Sequence, residues 1–115
     1  MGFDLYGKNE NSSFRNNCWW WRPLQALITY ACNDVLSVED ADNLGYNNGY
    51  FISKDKAERI ADKLEKVLNN EKKLRKMEKQ IMGVLPKENY GDCWSRTNIW
   101  EFIKFCRGSN GFYIC

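Results

Sequence analysis

Apolar and polar residues alternate at both ends of the chain and recur at helical spacing in between. Phe3 and Leu5 flank Asp4 at period two, so residues 2–6 read as a short strand. Residues 112–115 read as another, and the alternation puts Phe3, Leu5, Phe112 and Ile114 in one sheet and core. Residues 7–13 are polar and glycine-punctuated, which predicts a loop. Pro23 suits a first helical turn, and Leu24, Leu27, Ile28 and Ala31 extend that helix over about residues 23–32. Ser37 with Asp40 three residues on is a capping-box pair for a short helix that Gly45 stops. Residues 46–50 read as a turn around Asn48-Gly49, and Phe51-Ile52 is too short to assign.

Ser53 caps the longest helix, with Ala57, Ile60, Ala61, Leu64, Val67 and Leu68 as its buried stripe. Asn69-Asn70 breaks it, and Leu74, Met77 and Ile81 carry a further helix to about Met82 before Pro86 closes the unit. Residues 87–95 are expected as loop. Asn98 and Glu101 form a capping-box pair for a helix filled by Ile99, Trp100, Phe102, Ile103 and Cys106, with Gly108 as its stop. These elements predict one α+β domain over residues 1–115, mostly helical, with a small sheet joining both chain ends.

Composition narrows the function classes. A chain of 115 residues with 43% hydrophobic content sustains one core and is too apolar to be disordered. A net charge of +2 argues against duplex nucleic acid as partner. No stretch nears the ~20 apolar residues of a membrane span, and residues 1–4 lack the start of an export signal. The five cysteines show no C-x-x-C spacing, so mostly buried, reduced thiols are expected, with no bound metal or cofactor. There is no histidine, which removes the commonest general base and the commonest metal ligand.

The densest chemistry lies in the stretch Phe14-Arg15-Asn16-Asn17-Cys18-Trp19-Trp20-Trp21-Arg22. Three consecutive tryptophans cannot all face one core, because neighbours point about 100° apart in a helix and to opposite faces in a strand. Aromatic faces beside guanidiniums and amides suit a ligand with a ring and a phosphate. The plainer alternative is that the indoles wedge a helix against the sheet. Residues 46–50 are either a turn or a recognition loop. Lys72, Lys73, Arg75 and Lys76 are interleaved with Glu71 and Glu78 and read as a solvated face. Glu39, Asp40 and Asp42 can be read as hard-cation ligands or as first-turn acids favouring the helix dipole.

The opening residues 1–8, the stretch from Phe14 to Leu24 and the closing Gly111-Phe112-Tyr113-Ile114-Cys115 resemble a widespread family of small phage-encoded proteins. That family is similar to the anti-defence sponges that sequester signals of the bacterial cyclic-oligonucleotide (CBASS) immune pathway. The resemblance spans both chain ends and implies one homologous domain. It implies binding of a cyclic dinucleotide without cleavage, a homo-oligomer (a tetramer favoured) and a place in the host cytoplasm. The residues it points to are Tyr6, Lys8, Phe14, Arg15, Asn16 and Asn17, together with Trp19, Trp20, Trp21 and Arg22. Longer members carry a C-x-x-C-x-G zinc knuckle after a Leu-Pro like Leu85-Pro86. Here it is missing and Cys93 stands alone, so no metal property is carried over. The competing expectation is a phage inhibitor that binds a host protein through an exposed Trp/Arg patch. An enzyme would need Asp4, Glu39, Asp40 or Asp42 to act without histidine.

Overall fold

Period-two alternation at the N-terminus does build a strand, β1 (Gly2–Gly7), with Phe3 and Leu5 buried beneath it. The computed structural model describes residues 2–115. The chain turns back at once into β2 (Ser13–Asn17), pairing Leu5 with Phe14 and Asp4 with Arg15 in antiparallel register. The predicted loop is therefore shorter by two residues, since Gly7 ends β1 and Ser13 opens β2. This strand is an edge of the sheet and polar apart from Phe14, so no apolar alternation announces it. Its turn uses Asn11 at a φ of 63°.

The sheet closes through the other chain end. β3 (Tyr50–Ile52) and β4 (Phe112–Ile114) complete an antiparallel order β2-β1-β4-β3, so both termini meet at its centre. Leu5 lies beside Ile114 and Gly7 beside Phe112. Phe3, Leu5, Phe112 and Ile114 share one buried face, as the alternation predicts.

Helices cover that face. α1 (Cys18–Ala31) starts five residues earlier than Pro23 leads one to expect. The Asn17 carboxamide accepts the Trp20 amide at 3.1 Å and caps the helix there. Pro23 is thus its sixth residue, and without an N–H it leaves the Trp19 carbonyl short of its helical partner. α2 (Val38–Asn43) has the expected Ser37–Asp40 capping box. α3 (Lys54–Leu68) and α4 (Glu71–Met82) divide at Asn69-Asn70 as expected.

Two corrections follow C-terminally. Residues 87–90, expected as loop, wind into α5 (Lys87–Tyr90). In α6 (Arg96–Ser109) the cap is Ser95, which accepts the Asn98 amide at 3.2 Å, so the Asn98–Glu101 pair does not start this helix. Asn98 instead exchanges two amide hydrogen bonds with Asn16, at 2.9 and 3.0 Å, tying α6 to β2. Gly108 lies inside the helix, and the chain leaves it through Asn110 at φ 61° and Gly111 at φ 92°. At Gly111 a Cβ would meet the Phe51 ring at 2.8 Å, so glycine is required twice over.

The core is aromatic at its centre. Trp21 stacks on Phe3 at 5.6 Å and meets Phe102 edge-on at 5.9 Å. Phe102, Phe105 and Phe112 continue the cluster under β4, with half-buried Phe14 at its edge. Of the five thiols, Cys32 and Cys106 are buried, Cys18 and Cys93 are half-buried and Cys115 is exposed, so burial is less general than expected. Burial pushes the Cys32 thiol up to about 12, which keeps it protonated and inert.

Candidate functional site

The three indoles diverge because consecutive helical residues point about 100° apart. Trp21 is fully buried and donates its Nε1–H to the Leu44 carbonyl at 2.9 Å. Trp20 is half-buried. Trp19 is 42% exposed and meets Tyr90 of α5 edge-on at 5.3 Å. One tryptophan of the run is thus a core anchor, and another is presented outward.

A cleft of about 500 Å³ opens beside Trp19. Its walls are Trp19, Cys18 and Arg22 from α1, Phe3 from β1, the 45–47 loop and Tyr90. That volume falls within the 300–1,000 Å³ usual for small-molecule sites. Arg22 lies with its guanidinium 5.1 Å from the Phe3 ring centre. It also donates to the Gln25 carboxamide at 2.9 Å and to the Gly45 carbonyl at 3.4 Å. These contacts hold the guanidinium against the cleft wall. Arg22 is the charged residue among those lining the cleft, and no carboxylate lines it to compete. Cys18 and Trp19 open α1, so the positive end of the helix dipole lies at the same wall.

The opposite wall is pinned by its neighbours. Leu44 is held by Trp21, and the Asn47 carboxamide donates to the Gly2 carbonyl at 2.9 Å. The Asn48 carboxamide donates to the Asn43 side chain at 2.9 Å. Tyr46 stands out between these anchors, 63% exposed. The site therefore presents aromatic side chains from four chain segments around one cation.

The structure divides the residues that the sequence nominates. Trp19 and Arg22 line the cleft. Trp21 and Phe14 pack in or against the core, Asn17 caps α1, and Asn16 is engaged with Asn98. Tyr6, Lys8 and Arg15 lie away from the cleft, at the outer face of the sheet. Arg15 is paired there with Asp4 at 2.5 Å, and Lys8 reaches over Phe51. The 46–50 stretch is flagged by its composition, and Tyr46 and Asn47 from it do line the cleft. Phe3, Cys18 and Tyr90 are added by the fold alone. Nothing local marks Tyr90, because its role comes from α5 docking beside α1.

Of the acidic cluster, Glu39 and Asp40 lie in the first turn of α2 and Asp42 does not, and Asp40 is taken up by its neighbours. It is 2% exposed, accepts the Ser37 amide at 3.0 Å and the Tyr50 hydroxyl at 2.5 Å, and is paired with Lys56. Among the described residues no group of histidine, cysteine, aspartate or glutamate is placed to hold a metal. No described helix is long and apolar enough to cross a membrane. No family model, no curated protein and no solved structure matches this chain.

Proposed function

We propose that the chain sequesters a cyclic nucleotide signal, of the cyclic dinucleotide class, in the cleft beside Trp19 without cleaving it. The observation that carries the reading is the convergence of Trp19, Tyr46 and Tyr90 around the pinned Arg22 guanidinium. Exposed rings take the faces of bases, at ~1–3 kcal/mol per stacked base. The guanidinium and the α1 dipole take a phosphate. The lining has neither carboxylate nor histidine among the described residues, which supports retention of the ligand over its hydrolysis.

A sponge needs nanomolar affinity, about 12 kcal/mol. The cleft is open along one side, so a single copy encloses only part of a ligand. The proposal therefore includes a homo-oligomer, a tetramer in its favoured form, in which a second copy covers the open side. The setting that follows from the phage resemblance is the host cytoplasm.

Calorimetric titration with a panel of cyclic di- and trinucleotides tests this. Arg22→Ala and Trp19→Ala are expected to weaken binding at least about tenfold, the loss of one charge-assisted bond or one stack. Arg15→Ala and Lys72→Ala are expected to leave it within about twofold, because neither residue lines the cleft and isolated exposed charges contribute little. Heat denaturation should return the nucleotide intact. Recovery of a cleaved product would make the protein an enzyme. Indifference to every nucleotide would leave the exposed Trp19 and Tyr46 as anchors for a host protein.

A further inference from the structure

Helices α1 and α6 pack against the sheet, and the side chains of its strands that alternate with the buried ones are half-buried or exposed. On β1 these are Asp4 and Tyr6, on β2 Arg15, on β4 Tyr113 and on β3 Phe51. The register sets Tyr6 directly beside Tyr113 and Tyr113 directly beside Phe51, so three rings form one row across three adjacent strands. The Phe51 and Tyr113 rings are 4.8 Å apart, and each of the three is between 37% and 49% exposed.

Cations flank the row. The Lys8 ammonium stands 5.6 Å from the Phe51 ring centre. The Arg15 side chain is 80% exposed, and only its Nε and one terminal nitrogen face Asp4. A depression of about 270 Å³ lies between Tyr6 and Arg15. Asp4 also lines that depression, and the remaining guanidinium nitrogen of Arg15 has no hydrogen bond to it.

We propose that this open sheet face is a stacking platform for single-stranded nucleic acid, with bases on Tyr6, Tyr113 and Phe51 and phosphates at Lys8 and Arg15. Strands about 4.8 Å apart place their outward rings along a line, and rows of this kind take two or three unstacked bases. A second copy of the chain suits the face less well. The three partly exposed rings offer roughly 200–300 Å² of apolar surface, against about 800 Å² per partner in a stable interface. Lys8 and the unpaired part of Arg15 are the groups on this face that complement phosphate. This site is separate from the cleft and does not depend on what the cleft binds.

Fluorescence anisotropy with labelled oligouridine and oligothymidine of about ten nucleotides tests the proposal, with the two arms separating RNA from DNA. Micromolar binding is expected at low salt. Tyr6→Ala and Tyr113→Ala should each weaken it about tenfold while melting stays near wild type, since both rings lie at the surface. Lys8→Gln should flatten the dependence of log K on log salt by about 0.7. Tyr113→Phe, which keeps the ring, should bind like wild type. Absence of binding up to about 100 μM overturns the proposal. So does unchanged binding by the Tyr6→Ala, Tyr113→Ala double variant, or binding lost in Trp19→Ala alone. A dimer abolished by that double variant, with no oligonucleotide bound, overturns it in favour of a self-interface.

Discussion

Replacing Trp21 with alanine is expected to lower unfolding free energy by about 4 kcal/mol, the largest effect of any single tryptophan in the chain. Truncation of a fully buried large aromatic leaves a cavity that neighbours fill only in part, at ~3–5 kcal/mol. Here it removes the stack on Phe3, the edge contact with Phe102 and the hydrogen bond to the Leu44 carbonyl. That carbonyl also holds the start of the 45–47 loop, so the cleft should loosen with the core. Trp21→Phe keeps a ring but not the N–H, and should cost about 1–2 kcal/mol. Trp19→Ala, at a 42% exposed position, should cost less than about 1 kcal/mol. Urea unfolding of the three variants with unchanged m-value measures these differences. A Trp21→Ala loss no larger than that of Trp19→Ala would refute the assignment of anchor and presented ring.

The second large effect concerns Asp40. Burial pushes its carboxyl up, but hydrogen bonds from Lys56, Tyr50 and the Ser37 amide outweigh that and hold it at about 2. A carboxyl held below its unfolded value contributes stability that is complete above about pH 4. That stability is lost as pH falls through about 2. The shift corresponds to roughly 2–3 kcal/mol. The same pair acts on Tyr50, whose hydroxyl is pushed up to about 12 by its hydrogen bond to Asp40. Its contribution is present below the ordinary tyrosine pKa of about 10 and is lost as pH rises towards 12. Asp40→Asn should therefore destabilise by about 2–4 kcal/mol at neutral pH and flatten the acid limb between pH 4 and 2. Denaturant unfolding at pH 7, 4 and 2 reads both. An unaltered acid limb in Asp40→Asn would show that other carboxylates govern acid unfolding.

Helix α3 was legible in detail because its stripe from Ala57 to Val67 repeats at the helical period and Ser53 caps it. The same holds for α2, where Ser37 and Asp40 meet as their spacing predicts. β1 and β4 were legible because alternation survives at short length when one face is buried. Where local signals competed, the local reading failed. Pro23 resembles a helix start, yet the Asn17 cap lies upstream. Asn98 resembles a cap, yet its amide is committed to Asn16, a residue 82 positions away. Lys87–Tyr90 carries no apolar period of its own and is helical for a single turn.

The candidate site shows the same division. Composition alone singled out the tryptophan run and the 46–50 stretch, because rings, amides and guanidiniums concentrate there. Three consecutive indoles must also diverge, since neither a helix nor a strand points three neighbours to one face. Which indole turns inward depended on where α1 begins and on Phe3, Leu44 and Phe102 arriving around Trp21. Arg15 and Arg22 are close in sequence, yet one lies on the open sheet face and the other in the cleft. A strand reverses side-chain direction at every residue, and a helix begins three residues after Arg15. Local spacing determines periodicity, caps and the chemistry on offer. Long-range packing alone decides which of those groups share a surface, because that depends on partners tens of residues away.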